Sequence, residues 1–370
     1  MIDKRINVTQ PSLPPLDEFI SYLEKIWDSK QLTNNGQFHQ QFEKELADFL
    51  GVKYICLVAN GTLALMLALK ALDIKGEVIT TPFSFVATAH SILWNNSEPV
   101  FCDIEEKTLN IDPDKIEQLI TEKTTAIMPV HVYGHPCDNN KIQAITKKHN
   151  LKVIYDAAHA FHVKQNDNSI LNWGDLSILS FHATKIFNTF EGGSIICHDA
   201  KTKRIIDDLK NFGFRSETEV EVSGINAKMN ELQAAMGLLQ LRYVEENIDK
   251  RKKISQYYRN VLKNIEGIKC FQDLPEVTAN YSYFPILIDK QKYGKSRDEV
   301  YKLLKQNNIF TRRYFYPLIS KFEPYNKLDS ASSEQLLVAE KIAKQILCLP
   351  LYPNLSYETI KVIIKILFNN

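Results

Sequence analysis

At 370 residues the chain is longer than one hydrophobic core usually serves, so one large and one smaller domain are expected. Apolar residues make up 44%, ample for a sizeable core, and 45 basic against 44 acidic side chains leave a net charge of +1. No overall field then favours nucleic acid or an anionic membrane, and an anionic ligand has to be caught by a local site.

The segment from Met1 to Pro15 carries Asp, Asn, Gln and three prolines, unlike a signal peptide. Leu16 to Trp27 reads as a helix, and Gln37 to Leu50 as a second one ending at Gly51. Strands and helices then alternate. Strands are expected at Tyr54–Val58, Glu77–Thr81, Pro99–Asp103, Thr125–Val132, Lys152–Asp156 and Leu176–Phe181. Helices are expected at Thr62–Leu72, Phe85–Trp94, Asp112–Ile120 and Asn139–His149. Short all-apolar strands alternating with helices indicate an α/β sheet covered on both faces.

After Glu191 the pattern changes. Ser194–Cys197 reads as a strand that could run against its neighbours, and one long helical stretch is expected from Asn230 to about Ile265. Beyond it come a strand at Tyr283–Ile288, helices at Ser296–Asn307 and Ser333–Ile346, a strand at Leu347–Leu351, and a last helix at Tyr357–Phe368. The domain boundary is placed near residue 245, giving a large domain over 1–245 and a small C-terminal α+β domain over 246–370. The most apolar run, Leu63–Leu72, is too short to cross a bilayer and contains Lys70. Cys56, Cys102, Cys137, Cys197, Cys270 and Cys348 are scattered without a C-x-x-C pair, which argues against a disulfide frame or a metal site. A soluble cytoplasmic protein is expected.

The chemistry concentrates in a few segments. Ser180-Phe-His-Ala-Thr-Lys185, with Glu191-Gly192-Gly193 close behind, sets one lysine at a strand end beside a glycine turn. Asp156 ends another apolar strand and is followed by Ala157-Ala158-His159. A lysine paired with a buried acid in this way can hold pyridoxal 5′-phosphate (PLP) as a Schiff base, the acid keeping the pyridine nitrogen protonated. Asp156 could instead cap a helix, and His159 could touch the ring's phenolic oxygen or simply pack. Asn60-Gly61-Thr62 separates a strand from an apolar helix, where free amides attract a phosphate; an ordinary turn with Thr62 as cap is the plainer alternative. Phe85, rather than Phe83, is the candidate to stack on a cofactor ring, because it opens the next helix. Asn230 begins the long helix and could be merely its cap. Arg312-Arg313 with Tyr314 and Tyr316 makes a basic, aromatic cluster suited to a diphosphate or carboxylate, with Arg313 and Tyr316 as substrate-binding candidates; a solvated patch is the alternative. No G-x-G-x-x-G occurs anywhere, which disfavours a nucleotide-sugar oxidoreductase.

Taken in order, N-G-T-x-A-L (Asn60 to Leu65), T-T-P-F-S-F-V-A-T (Thr80 to Thr88), D-A-A-H (Asp156 to His159), S-F-H-A-T-K…E-G-G (Ser180 to Gly193) and M-N-E-L-Q-A-A (Met229 to Ala235) resemble the PLP-dependent nucleotide-sugar aminotransferases of the DegT/DnrJ/EryC1/StrS family. The likeness runs from about residue 7 to the C-terminal helix. It implies a fold-type I architecture, a large domain with a mostly parallel seven-stranded sheet and a smaller C-terminal α+β domain. It also implies roles: Lys185 as the Schiff-base lysine, Asp156 as the pyridinium partner and Phe85 as the stacking aromatic. Gly61, Thr62 and Ser180 would bind the cofactor phosphate, with Asn230 reaching in from the partner subunit of a homodimer with shared active sites. His182 to Gly193 and L-T-N-N-G (Leu32 to Gly36) are similar to the branch that aminates dTDP-4-keto-6-deoxyglucose at C4, with L-glutamate as donor, for O-antigen sugars. Amination at C3, or a non-catalytic relative keeping the scaffold, are the competing expectations.

Overall fold

The computed structural model describes residues 5–368. Seven five-residue strands form the central sheet: Tyr54–Val58 (β1), Gly76–Thr80 (β2), Ser97–Phe101 (β3), Thr124–Met128 (β4), Lys152–Asp156 (β5), Leu176–Ser180 (β6) and Gly193–Cys197 (β7). Their spatial order is β1-β7-β6-β5-β4-β2-β3. Strand β7 is antiparallel to both β1 and β6, and every other pairing is parallel. The reversed strand expected at Ser194–Cys197 is therefore present, lodged inside the sheet.

Alternation along the strands explains why both faces need cover. Ile55, Leu57, Leu179 and Ile196 point to one face, where they meet Phe42 and Leu46 of helix α2 (Gln37–Leu50) and Leu238 of helix α7 (Glu231–Leu241). Cys56, Val58, Ile178 and Ile195 point to the other, against helix α3 (Gly61–Ala71) and helix α6 (Ala200–Lys210). Helices α4 (Ala87–Trp94) and α5 (Asn139–His149) follow β2 and β4 along the chain. Each fully buried aliphatic or phenyl side chain contributes about 1.5–3 kcal/mol. The contact of α2 on α7 is close because Gly237 has no side chain; a Cβ there would lie 2.4 Å from Cζ of Phe42. Helix α1 (Leu16–Ser29) packs on the same face through Phe19 and Ile26.

The C-terminal part has its own antiparallel sheet, Ile268–Cys270, Phe284–Ile288 and Ile346–Leu349 in that order. Its core unites Ile286, Ile288 and Leu349 with Tyr258 and Leu262 of helix α8 (Val244–Leu262) and with Ile360, Ile363 and Leu367 of the last helix. Ile6 belongs to this core too, since Ile6–Asn7 pairs in parallel with Ile309–Phe310. The N-terminal strand thus lies on the C-terminal unit, although its sequence position groups it with the large one.

Two expected helices differ. The stretch from Asn230 breaks at Arg242–Tyr243, where three-residue bonds from Arg242 N to Leu239 O and from Tyr243 N to Gln240 O tighten the turn. Both side chains at the break are held by Glu18 of α1, which fixes the new direction. Asp112–Ile120 forms two single 3₁₀ turns, Pro113–Lys115 and Glu117–Leu119, too short to propagate a helix.

Candidate active site

In a mostly parallel sheet, ligands bind where the strands' carboxyl ends open into loops. A cavity of about 770 Å³ lies there, lined by residues from the ends of β1, β4, β5 and β6, from the loop after β2, and by Tyr283, Arg312, Tyr314 and Phe315 of the C-terminal part.

Asp156, the last residue of β5, is 5% exposed. Its Oδ2 accepts from the Thr88 hydroxyl at 2.8 Å and its Oδ1 from the Ala158 amide at 3.1 Å. Because Thr88 gives its proton to the carboxylate, Ser84, 2.9 Å from Thr88 Oγ1, is the donor in the next link. Burial pushes the Asp156 pKa up, while Thr88, the Ala158 amide and the Lys185 cation pull it down. Asp156 also accepts from the amide two residues on, and no helix starts there, so this is a turn and not the helix cap that its sequence neighbourhood also allowed.

Lys185 lies in the loop between β6 and β7. Phe181 N donates to Gly192 O, Thr189 N to Phe181 O, and Phe187 stacks on Phe161 with centroids 4.3 Å apart. These bonds and that aromatic clamp close the loop and hold the lysine in the cleft. Burial lowers its pKa to about 8, with Asp156 opposing the shift.

The third component is the start of α3. Asn60, not Thr62, is its cap, accepting from Leu63 N at 2.9 Å, so Thr62 keeps its hydroxyl at the cavity. Gly61 leaves a gap beside Ser180: a Cβ would come within 2.8 Å of Ser180 Cβ. First-turn amides, the Thr62 hydroxyl and Ser180 thus converge on a space of the right chemistry for a phosphate.

Phe85 lines the cavity with 61% of its surface exposed, whereas Phe83 is buried edge-on against Phe315. His159 accepts from Tyr133 N at Nδ1, leaving the proton on Nε2, and packs against Tyr133, Tyr283 and Phe315. Burial lowers its pKa well below the ordinary value, so the ring is neutral.

Three candidates lie elsewhere. Asn230 caps α7 in a reciprocal box with Gln233 and does not line this chain's cavity. Arg313 turns away to Asp298 at 2.8 Å, under the rings of Tyr301 and Tyr316. Arg312, paired through its backbone with Cys348, lines the cleft together with Tyr314 and Phe315, whereas Arg313 and Tyr316 lie outside the lining. Sequence reasoning also passed over Thr88, Tyr133 and Tyr283. Thr88 sat in a quoted motif, and Tyr314 in the quoted basic, aromatic cluster, while Tyr133 and Tyr283 carry no local signal and are assembled only by the fold.

Residues 16–368 match the DegT/DnrJ/EryC1/StrS aminotransferase family. The chain belongs to that family. It is 53% identical over 364 residues, 98% of each chain, to a dTDP-4-amino-4,6-dideoxy-D-glucose transaminase of Shigella dysenteriae. It is 54% identical over 368 residues, 99% of each chain, to one from Escherichia coli. The crystal structure of DesI in the presence of its TDP-sugar product superposes with a TM-score of 0.94 at 33% identity, covering 99% of this chain and 93% of that one. As a member of the DegT/DnrJ/EryC1/StrS family, the protein is a PLP-dependent sugar-nucleotide aminotransferase of fold-type I, acting on a keto-sugar and an amino donor. The residues fit the cofactor: the gap at Gly61 and Ser180 for phosphate, the buried carboxylate of Asp156 for the ring nitrogen and the amine of Lys185 for attachment. Among the described residues no cluster of His, Cys, Asp and Glu could hold a metal, and no helix is long and apolar enough to cross a membrane.

Proposed function

We propose that the enzyme moves the amino group of L-glutamate to C4 of dTDP-4-keto-6-deoxy-D-glucose, giving dTDP-4-amino-4,6-dideoxy-D-glucose for O-antigen and lipopolysaccharide sugars. One observation carries the reading. A half-buried lysine and an anchored carboxylate face a single cleft, in a chain that matches two transaminases of that product over almost its whole length.

PLP, when bound, supplies a sink for the electron pair left as a substrate C–H proton departs. Asp156 would keep the ring nitrogen charged, Phe85 and His159 would contact the ring, and Gly61, Thr62 and Ser180 would hold the phosphate. Lys185 serves first as the attachment amine and then as the group that takes and returns the proton at Nζ. With a pKa near 8 it has a neutral fraction at neutral pH and a conjugate acid able to give the proton back. Tyr133, Tyr283, Tyr314 and Phe315 form an aromatic wall that limits water around that amine.

The proposal extends to assembly. A cytoplasmic homodimer, each chain split near residue 245, would bring Asn230 of one subunit to its partner's cleft. Large exposed side chains such as Trp27 (70%) and Trp94 (75%) support an extensive covered surface. The test is incubation with glutamate and either the 3-keto or the 4-keto dTDP-6-deoxyhexose, with the amino sugar identified by NMR. A 4-amino product is expected; a 3-amino product, or none, overturns the reading.

A further inference from the structure

Both substrates of the proposed reaction are anions, and a net charge of +1 attracts neither at long range. The charged side chains lining the cleft are Asp156, Lys185, Glu191 and Arg312. Asp156 is held by Thr88 and Ala158, Lys185 is the reacting amine, and Glu191 lies 3.5 Å from His182 Nε2. Arg312 alone is a cation without a task. Its guanidinium has no acidic partner among the described residues, whereas that of Arg313 is bound to Asp298. Its backbone is nevertheless fixed: Arg312 N donates to Cys348 O at 3.3 Å, and Cys348 N donates back to Arg312 O at 2.7 Å. An exposed side chain therefore starts from a rigid point, beside Tyr314 on elements separate from those that carry Gly61, Thr62 and Ser180.

We propose that Arg312 is the anion anchor of the cleft, its guanidinium fork taking the carboxylate of the amino donor in one half-reaction and the diphosphate of the sugar nucleotide in the other. This rests on the transaminase reading, in which the two substrates occupy the same cleft in turn. A planar fork of N–H donors suits both kinds of oxyanion, and one cation serves them alternately.

The test follows each half-reaction separately by cofactor absorbance, in the wild type and in Arg312→Gln loaded with PLP. The variant should need about ten to a hundred times more of each substrate for half-saturation, with a smaller change in the limiting rate. A rise with glutamate alone, or with the sugar nucleotide alone, overturns the shared anchor. Unchanged half-saturation in both arms overturns the proposal. Independently of any variant, inorganic diphosphate should compete with both substrates on the wild type; competition with neither would also overturn it. A wild type whose absorbance does not respond to glutamate or to the sugar nucleotide counts against the transaminase reading itself, before Arg312 is reached.

Discussion

A carboxylate as buried as that of Asp156 stays ionised only while its hydrogen-bond donors hold it so. Thr88→Val keeps the shape of the side chain and removes the hydroxyl that lowers the Asp156 pKa. The acid limb of the pH–rate profile should therefore move to higher pH, and an unmoved limb would show that Thr88 does not tune the acid. Lys185→Ala should cut turnover by at least about a thousandfold, read as amino-sugar formation; near-normal turnover would refute its role. For the apoenzyme the sign is opposite to that of Asp156. Burial disfavours the ammonium, so the reactive neutral amine accumulates as pH rises through about 8. The rate of PLP capture should climb to a plateau just above that pH, whereas an ordinary lysine would keep climbing past about 10. Asp156 was legible because it ends an apolar strand, a position that hides a charge only for a reason, and Lys185 because it follows another such strand in a loop closed by Glu191-Gly192-Gly193. Sequence could not choose between Arg312 and Arg313, because two adjacent arginines look alike until the fold sets one against the cleft and the other against Asp298.

Helices depend on partners that local sequence does not display. The cap residue of α2, Gly36, has no side chain to offer, and its Cβ would sit 2.5 Å from Cδ of Glu231. Glu231, 2% exposed on α7, accepts instead from the amides of Phe38 at 2.8 Å and His39 at 3.0 Å. Glu231→Ala should cost about 2–3 kcal/mol, because two buried N–H groups at the positive end of a helix lose their acceptor. Urea unfolding at fixed cofactor concentration would measure it, and a loss below about 0.5 kcal/mol would mean water substitutes freely. This cap joins residues almost two hundred positions apart, so no window of sequence announces it. The strands were the easier half: runs such as Ile55-Cys56-Leu57-Val58, buried on both faces, say where a strand lies without saying who pairs with it. The break at Arg242–Tyr243 stayed hidden for the same reason, since the acid that fixes it is on α1.

At the level of the whole molecule, the proposed homodimer with shared active sites makes a prediction that a monomer cannot satisfy. Lys185→Ala and Asn230→Ser subunits, each impaired alone, should regain about a quarter of wild-type turnover when mixed and allowed to exchange, since half of the dimers are mixed and each has one intact site. Serine still caps the helix, so stability is spared. No recovery, in a preparation that runs as a dimer, would place Asn230 outside the partner's site. The backward strand β7 bears on traffic as well. Gly193 is paired with Val58 on one side and with Ser180 on the other, and a Cβ there would lie 2.8 Å from the Asn60 carbonyl. The loop proposed to hold the phosphate and the loop that carries the lysine are thereby stitched together along that flank. Any movement that admits or releases a substrate is therefore expected on the other lining of the cleft, where Phe85 and Arg312 have exposed side chains, and mutations there should show first in how quickly product escapes.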